Sequence, residues 1–435
     1  MRNRNRTFGS PLVLMALTIF IDFTGFGLVI PLLPFWAERL GAGPRAIGAL
    51  LAAYALAQIL FTPMLGALSD RFGRKPIILL SLVVEGAAFA LTALSGSLAL
   101  LFVARFVGGL GASNIGSAQA VVADVTPREG RARAMGVIGA AIGLGFVVGP
   151  ALGGALAALG EAVPFWVAMG VALVNAVLVW RLLPETRRRR VAETTVPTPT
   201  ARVRDALVAG WGRALRRPGV ARLVAINLLY TVAFTGMETV FVLLTQRTFG
   251  WTARQNGFLF AYVGVVIVVM QGGVVGQVVK GLGERRVLIA GMALLAAGLI
   301  LLPWSGTLAL VLGALGLVSV GDGAVTPALA ALLSLASPAD AQGETLGVAQ
   351  GAGAFGRLVG PLAAGALFAA GTGLPFIFGA AVVILGALLA IPTLPSAPTS
   401  RDRTARGTTR AADRDVPADA TPERAEARAT ELAVR

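Results

Sequence analysis

The 435-residue sequence contains no cysteine and no histidine. The absence of cysteine excludes disulfide bonds and thiolate chemistry, and the absence of histidine excludes histidine-based metal sites. A proton carrier that works near neutral pH would have to be a carboxyl group whose surroundings favour its protonated form. The sequence also contains no nucleotide-binding P-loop, which excludes ATP hydrolysis by this chain. We therefore predict no metal and no cofactor.

Charged side chains are scarce as well. They make up 14% of the sequence, whereas 56% of the residues are hydrophobic and the mean hydropathy is +0.78. A soluble protein of this length needs more polar surface, so most of the chain is predicted to lie in lipid. Each crossing of a bilayer takes about 20 apolar residues. The runs of suitable length are about 11–35, 45–69, 76–94, 97–123, 132–159, 163–183, 220–246, 254–279, 287–304, 307–333, 345–370 and 374–394.

The basic residues are distributed unevenly among the connecting segments. With the N-terminus placed inside, the inside segments hold 31 of the 37 Lys and Arg residues, and the outside loops hold four. This excess predicts that both termini lie in the cytoplasm. The net charge of +15 thus reflects membrane topology, and we predict no nucleic-acid partner.

A polar and basic segment divides the chain into two halves. We predict an N-terminal six-helix half over 1–184 and a C-terminal six-helix half over 219–394. A cytoplasmic linker over 185–218, with a short interfacial helix around 203–217, would join them. The tail over 395–435 has few bulky apolar residues and is predicted to be disordered.

Segments of the first half recur in the second half in one register. At offsets of 210 or 211 residues, the recurring pairs are 66–79 with 276–289, 126–141 with 337–352 and 149–156 with 360–367. A duplicated six-helix unit is a transporter architecture with its substrate site near the midplane, between the halves. The predicted fold is an all-α integral membrane protein with twelve transmembrane helices in two pseudo-symmetric bundles.

Four sequence motifs resemble those of the major facilitator superfamily, in its branch of bacterial drug/proton antiporters that includes the tetracycline efflux proteins. They are "DFTGFGLVIPLLP" (22–34), "GALSDRFGRKP" (66–76), "RFVGGLGASNIGSAQA" (105–120) and "GLGFVVGPALGG" (143–154). The resemblance covers residues 8–394. It implies the major facilitator fold, a bacterial cytoplasmic membrane and export of a small amphipathic drug in exchange for protons. The proton gradient would supply the energy, and membrane lipids would surround the protein. We expect the protein to be a monomer.

The segment 66–76 places a charged turn between the second and third predicted helices. Gly66 and Gly73 permit close helix approach and a bend, while Asp70 at the membrane edge needs a partner or a helix N-terminus. The resemblance implies that this Asp contacts the other half near the start of the eleventh helix, where no basic residue is present. We call the residues expected to form and break this contact the latch. Its predicted members are Gly66, Asp70, Arg71, Gly73, Arg74, Lys75, Asp124 and Gln342.

The fifth predicted helix carries glycines at four-residue spacing. Gly145, Gly149 and Gly153 lie on one face and open a groove for close packing. Pro150 removes a backbone donor and bends the helix. The resemblance implies that this antiporter motif, with Gly154, lies at the interface between the halves and seals a closed state.

Six acidic or basic residues fall well inside predicted spans, away from the span ends. An Arg or Asp that faces lipid at mid-membrane costs roughly 2.5–3.5 kcal/mol on insertion scales, so these side chains are expected to face a wet or paired interior. We assign Asp22, Arg105 and Glu85 to proton coupling, and we expect Asp22 and Arg105 to approach each other. The residues predicted to line a substrate cavity are Glu238, Asp322, Arg357, Phe26, Tyr54, Phe234 and Met237.

Alternatives to drug efflux remain. A uniporter or importer of sugars or metabolites fits the fold, although the motif of the fifth helix is associated with antiport. A membrane-embedded enzyme or lipid scramblase would have little chemistry available in this sequence. Within efflux, tetracycline and multidrug specificity both stay open, because the ninth predicted span lacks the Asp of the tetracycline proteins.

Overall fold

The computed structural model describes residues 11–127, 130–185, 211–337 and 342–391, without the side chains of 131–133. Within these ranges the chain forms twelve long helices and no strand. In chain order the helices are α1 (Pro11–Arg39), α2 (Pro44–Phe72), α3 (Arg74–Ala93), α4 (Leu98–Val125), α5 (Arg131–Ala157), α6 (Val163–Leu182), α7 (Pro218–Phe249), α8 (Ala253–Leu282), α9 (Glu284–Trp304), α10 (Leu308–Leu335), α11 (Gln342–Ala370) and α12 (Leu374–Ala390). Eleven are long and apolar enough to cross a membrane, and α12 is a shorter apolar helix. The predicted all-α membrane fold is confirmed.

Two helices are interrupted in their interior by another helix type, and α9 ends in a 3₁₀ turn at Leu302–Trp304. A 3₁₀ turn at Ala112–Asn114 interrupts α4, and a π-helical segment at Met270–Val274 interrupts α8. Such irregular turns redirect the side chains that follow, and they often occur at functional sites. The turn in α4 carries Asn114, which belongs to the site described below.

Local geometry recurs 210 residues apart, as the internal repeat predicts. Ser97 and Thr307 are the N-caps of α4 and α10, and each accepts a hydrogen bond from the backbone N–H three residues later. Gly73 and Gly283 both adopt positive φ, at 107° and 80°, between the second and third helices of their halves. A side chain would strain the backbone at these two turns.

The halves meet through α2 against α11 and α5 against α8. At one end of these pairs the backbones approach closely. A Cβ atom added at Gly365 would lie 2.5 Å from the Pro44 carbonyl oxygen, and one added at Gly257 would lie 2.5 Å from the Pro150 carbonyl oxygen. We call this the sealed end. Toward the other end, a Cβ at Gly66 would meet nothing within 4 Å.

The end that carries the charged turn of residues 70–75 is therefore the open end. At this end of α5 and α8, an added Cβ would also meet nothing within 4 Å at Gly136, Gly139, Gly272, Gly273 and Gly276. The charge distribution predicts that the open end is cytoplasmic.

The predicted linker is described only in part. A short helix over 211–215 lies before α7. Its Arg213 guanidinium forms an ion pair of 2.7 Å with Glu344 in the first turn of α11, and Trp211 packs against Gly351 one to two turns later. The rest of the predicted linker, including 203–210 of the interfacial helix, and the predicted tail over 395–435 lie outside the described residues.

Candidate functional site

A cavity of about 560 Å³ lies between the two halves. This volume is in the usual range for small-molecule sites, about 300–1,000 Å³. Helices from both halves contribute to its wall, and the lining mixes aromatic rings, amides and charged groups. The aromatic, amide and charged lining residues are Asp22, Phe23, Phe26, Tyr54, Gln58, Gln119, Phe146, Asn227, Tyr230, Phe234, Glu238, Asp322, Gln350 and Arg357, and the lining threonines are Thr231, Thr235, Thr239 and Thr326.

Six of the seven residues predicted to line a substrate cavity are in this wall. Met237 is the exception, because its side chain is only 3% exposed and packs in the hydrophobic core. The cavity face of α7 runs through Tyr230, Phe234 and Glu238, which are four residues apart and so lie on one side of the helix. Met237 lies beyond the edge of that face, so its prediction as a lining residue is wrong.

The second half presents two carboxyl groups to the cavity. Asp322 on α10 accepts a hydrogen bond from the Tyr230 hydroxyl, which also lies 3.2 Å from the Thr326 hydroxyl. The Tyr230 ring stacks on Phe234, with 6.2 Å between the ring centroids. Glu238 lies on the same face of α7. This arrangement places two acidic groups beside an aromatic surface, a combination that suits an amphipathic cation.

The first half presents Asp22 to the cavity. The side chain is 6% exposed, and its Oδ2 accepts a hydrogen bond of 3.1 Å from the Asn114 amide on α4. Glu85 on α3 lies within hydrogen-bonding reach of Asp22 but is not part of the cavity lining. Sequence reasoning missed Asn114, although it lies in the quoted motif 105–120.

The structure does not bring Asp22 to Arg105, contrary to expectation. The Arg105 guanidinium lies over the Tyr54 ring, 4.5 Å from its centroid, and forms no ion pair with Asp22. The reason is the helix rise. Arg105 precedes Asn114 by nine residues, which corresponds to about 13 Å along α4. The residue of α4 at the level of Asp22 is therefore Asn114.

The latch residues of the first half cluster around Arg74. Its guanidinium lies 2.9 Å from Asp70, 3.5 Å from Asp124 and 2.7 Å from the Ser69 hydroxyl. This network crosses from the α2–α3 turn to the end of α4. Among the other predicted members, Lys75 is half-buried, Arg71 lies over the Phe72 ring and Gln342 is exposed at the start of α11.

One residue that contacts the latch, Glu185, was not predicted from the sequence. The carboxylate of Glu185, just after α6, accepts hydrogen bonds from the backbone N–H groups of Arg74 and Lys75. It fills the space beside Gly73, where an added Cβ would lie 2.5 Å from a carboxylate oxygen. Gly73 is thus needed both for its backbone angle and for the room it leaves. Contact between Asp70 and Gln342 in a state closed at this end stays a prediction.

The antiporter motif serves two interfaces. Gly145, Gly149 and Gly153 face α1 of the same half, and a Cβ at Gly153 would lie 2.8 Å from the Leu28 carbonyl oxygen. Gly154 instead faces α8 of the other half, and Pro150 serves both sides, with its carbonyl toward Gly257 of α8 and its ring toward Gly27 of α1. The prediction that the whole motif lies between the halves is therefore wrong for the three spaced glycines, because consecutive residues of a helix point in different directions.

Known proteins resemble the chain over most of its length. The profile of the family described as Major Facilitator Superfamily matches residues 15–282 and 273–429. The tetracycline resistance protein, class C, of Escherichia coli is 33% identical over 385 residues, which cover 86% of this chain and 94% of that protein. Multidrug resistance protein 2 of Bacillus subtilis (strain 168) is 30% identical over 385 residues, covering 86% and 92%.

Solved structures share the architecture. The crystal structure of the human organic anion transporter MFSD10 (TETRAN) matches with a TM-score of 0.66 and 25% identity, covering 87% of this chain and 98% of that one. A bacterial homolog of the human lysosomal transporter Spinster, inward-facing and unoccupied, matches with a TM-score of 0.71 and 14% identity, covering 89% and 97%. The second likeness concerns the fold alone. The relatives are membrane transporters rather than enzymes, and this chain belongs to the major facilitator superfamily.

Proposed function

We propose that the protein exports amphipathic drugs in exchange for protons, and that Asp22 exchanges the driving proton. The observation that carries the proposal is the position of Asp22, a buried carboxyl group in the wall of a drug-sized cavity between the halves. The names of the tetracycline and multidrug relatives support drugs as the substrate class. We also propose that the exchanged ion is a proton and that the protein acts as a monomer.

The charges of the cavity favour cations over anions. Asp22, Glu238 and Asp322 provide three carboxyl groups, against one guanidinium from Arg357. A drug with a basic group would therefore bind better than an organic anion, the substrate class named for the human relative. Multidrug export and tetracycline export are both consistent with this lining.

The proposed cycle uses the two ends of the bundle alternately. With the open end toward the cytoplasm, Asp22 releases its proton through the cavity and the drug binds. When the halves rock, the sealed end opens outward, the drug leaves and Asp22 takes up a proton from outside. Burial favours the protonated carboxyl group and water access favours the carboxylate, so each opening changes the balance.

Proteoliposomes with a pH gradient test the proposal. Asp22→Asn resembles the protonated side chain permanently, so the variant is expected to bind drug at equilibrium and to fail in gradient-driven uptake. Glu161→Gln is the matched control, because Glu161 pairs with Arg39 at an exposed position outside the cavity. If Asp22→Asn still concentrates drug against its gradient, the proposal is wrong. Growth inhibition of an efflux-deficient host by a drug panel would separate multidrug from tetracycline export.

A further inference from the structure

Asp22 and Glu85 form a pair of carboxyl groups with unequal surroundings. Both side chains are buried, with 6% and 5% of their surface exposed, and they lie within hydrogen-bonding reach of each other. Asp22 lines the central cavity. Glu85 lies behind it in a separate pocket of about 10 Å³, beside Tyr54 and Arg105. This pocket has room for about one water molecule and for no drug.

The hydrogen bonds around the pair are incomplete. Asp22 Oδ2 accepts from Asn114, whereas Asp22 Oδ1 and Glu85 Oε2 are buried without a donor. A carboxylate can only accept hydrogen bonds, so two neighbouring carboxylates would repel each other and leave these oxygens unpaired. A proton held on one of the two groups supplies a donor and removes the repulsion.

The surroundings decide which group holds that proton. Around the pair, the titratable groups are Tyr54 from α2 and Arg105 from α4. Arg357 lies near Tyr54 and belongs to α11, the helix of the other half that packs against α2. Between their ends, α5 and α6 contain no titratable residue. Arg105 lies over the Tyr54 ring, and within the described residues no cation forms an ion pair with Glu85.

The carboxylate charge is better accommodated on Asp22 than on Glu85. Asp22 has the amide donor of Asn114 and the open cavity, through which water can reach it. Glu85 has neither, and an uncompensated buried charge is costly. The acids of the second half, Glu238 and Asp322, line the same cavity and offer no positive charge that would stabilise a second carboxylate here.

We propose that Glu85 stays protonated through the transport cycle and donates a hydrogen bond to Asp22, so that Asp22 alone exchanges the driving proton. Glu85 is then a positioning residue that stabilises the carboxylate form of Asp22. The inference rests on the proposed function, and it implies that the pair moves one proton per cycle although it contains two acids.

Infrared absorption spectra of the purified protein in detergent, compared between the wild type and each variant at the same pH, test the protonation directly. On alkaline titration, the wild type is expected to lose the carbonyl band of protonated Asp22 and to keep that of Glu85. Glu85→Gln should remove the retained band, and Asp22→Asn should remove the titrating one. Glu161→Gln is the matched control and should change neither, because Glu161 pairs with Arg39 at an exposed position outside the cavity. A Glu85 band that disappears together with that of Asp22 would overturn the proposal.

Transport at varied pH gives the second readout. Glu85→Leu has no donor for Asp22, so the pH midpoint of drug-induced proton release should move about one to two pH units toward alkaline pH. Glu85→Gln, whose amide can donate, should restore the wild-type midpoint and gradient-driven uptake. If Glu85→Gln abolishes driven uptake as Asp22→Asn does, Glu85 exchanges the proton and the inference is wrong. Absence of driven uptake in the wild type would instead contradict the proposed function, while the infrared result stands independently.

Discussion

The carboxylate of Glu185 holds the backbone of Arg74, accepting its N–H at 3.0 Å and that of Lys75 at 3.2 Å. The first N–H groups of a helix have no partner within the helix, and its N-terminus attracts negative charge. One carboxylate after α6 therefore fixes the start of α3 and the charged turn before it.

Replacing Glu185 should destabilise the protein. Glu185→Ala removes the cap of α3, and the loss of such a cap costs about 1 kcal/mol. We expect a lower melting temperature for the purified variant in detergent. Glu161→Ala is the control, because an exposed ion pair contributes at most about 1 kcal/mol and often nothing measurable. Equal melting temperatures of Glu185→Ala and wild type would show that the cap is dispensable.

Asp70→Asn should slow transport without weakening drug binding. Asp70 pairs with Arg74 at the open end, away from the cavity lining, so its removal affects the conformational change and not the drug site. We expect initial transport rates to fall roughly tenfold, equivalent to about 1.4 kcal/mol in the barrier. Glu38→Gln, at the other end of the bundle, should transport at the wild-type rate. If Asp70→Asn transports at the wild-type rate, the charged turn determines only the membrane orientation of the chain and not the conformational change.

Neutralising Glu238 or Asp322 should discriminate between drugs by charge. Both carboxyl groups line the cavity, and Tyr230 holds Asp322 in place. We expect Glu238→Gln and Asp322→Asn to weaken the binding of a cationic drug roughly tenfold, or about 1.4 kcal/mol, and that of a neutral analogue much less. Equilibrium dissociation constants of matched cationic and neutral compounds measure the difference. An equal loss for both compounds would contradict charge recognition.

Gly48 and Gly66 of α2 should respond differently to the same substitution. A Cβ at Gly48 would collide with the Pro361 carbonyl at the sealed end, whereas one at Gly66 would meet nothing within 4 Å. Gly48→Ala should therefore shift the population away from this conformation, and Gly66→Ala should leave it intact. Because the chain lacks cysteine, a single cysteine introduced near the sealed end reports its opening through thiol labelling. Unchanged labelling in Gly48→Ala would contradict the predicted role of this contact.

Much of the fold could be predicted from the sequence, because lipid imposes a length and an apolar composition on every span. The helix ends differ from the predicted ones by a few residues, and Gly73 and Gly283 mark equivalent turns in the repeat. The cavity residues Glu238, Asp322 and Arg357 could be proposed because charge inside a span is costly.

Side-chain partners could not be predicted in the same way. Whether Asp22 meets Arg105 or Asn114 depends on the position of α4 relative to α1 along the helix axes. The amino-acid composition contains no information about this offset. The link between Glu185 and the turn at Gly73 joins residues more than 100 positions apart in the chain. The direction of each glycine on α5 likewise depends on which neighbour its helix face meets, so Gly153 and Gly154 serve different partners.

The sealed end and the open end differ in the chemical groups that they present. At the sealed end the halves touch through glycines, prolines and carbonyl groups, and among the described residues no ion pair crosses this contact. At the open end, Asp70, Arg74 and Asp124 carry charges that mobile ions screen over about 8 Å at physiological ionic strength. Added electrolyte therefore screens the charges that flank the open end, whereas the glycine–carbonyl contacts that close the sealed end contain no ion pair for it to weaken.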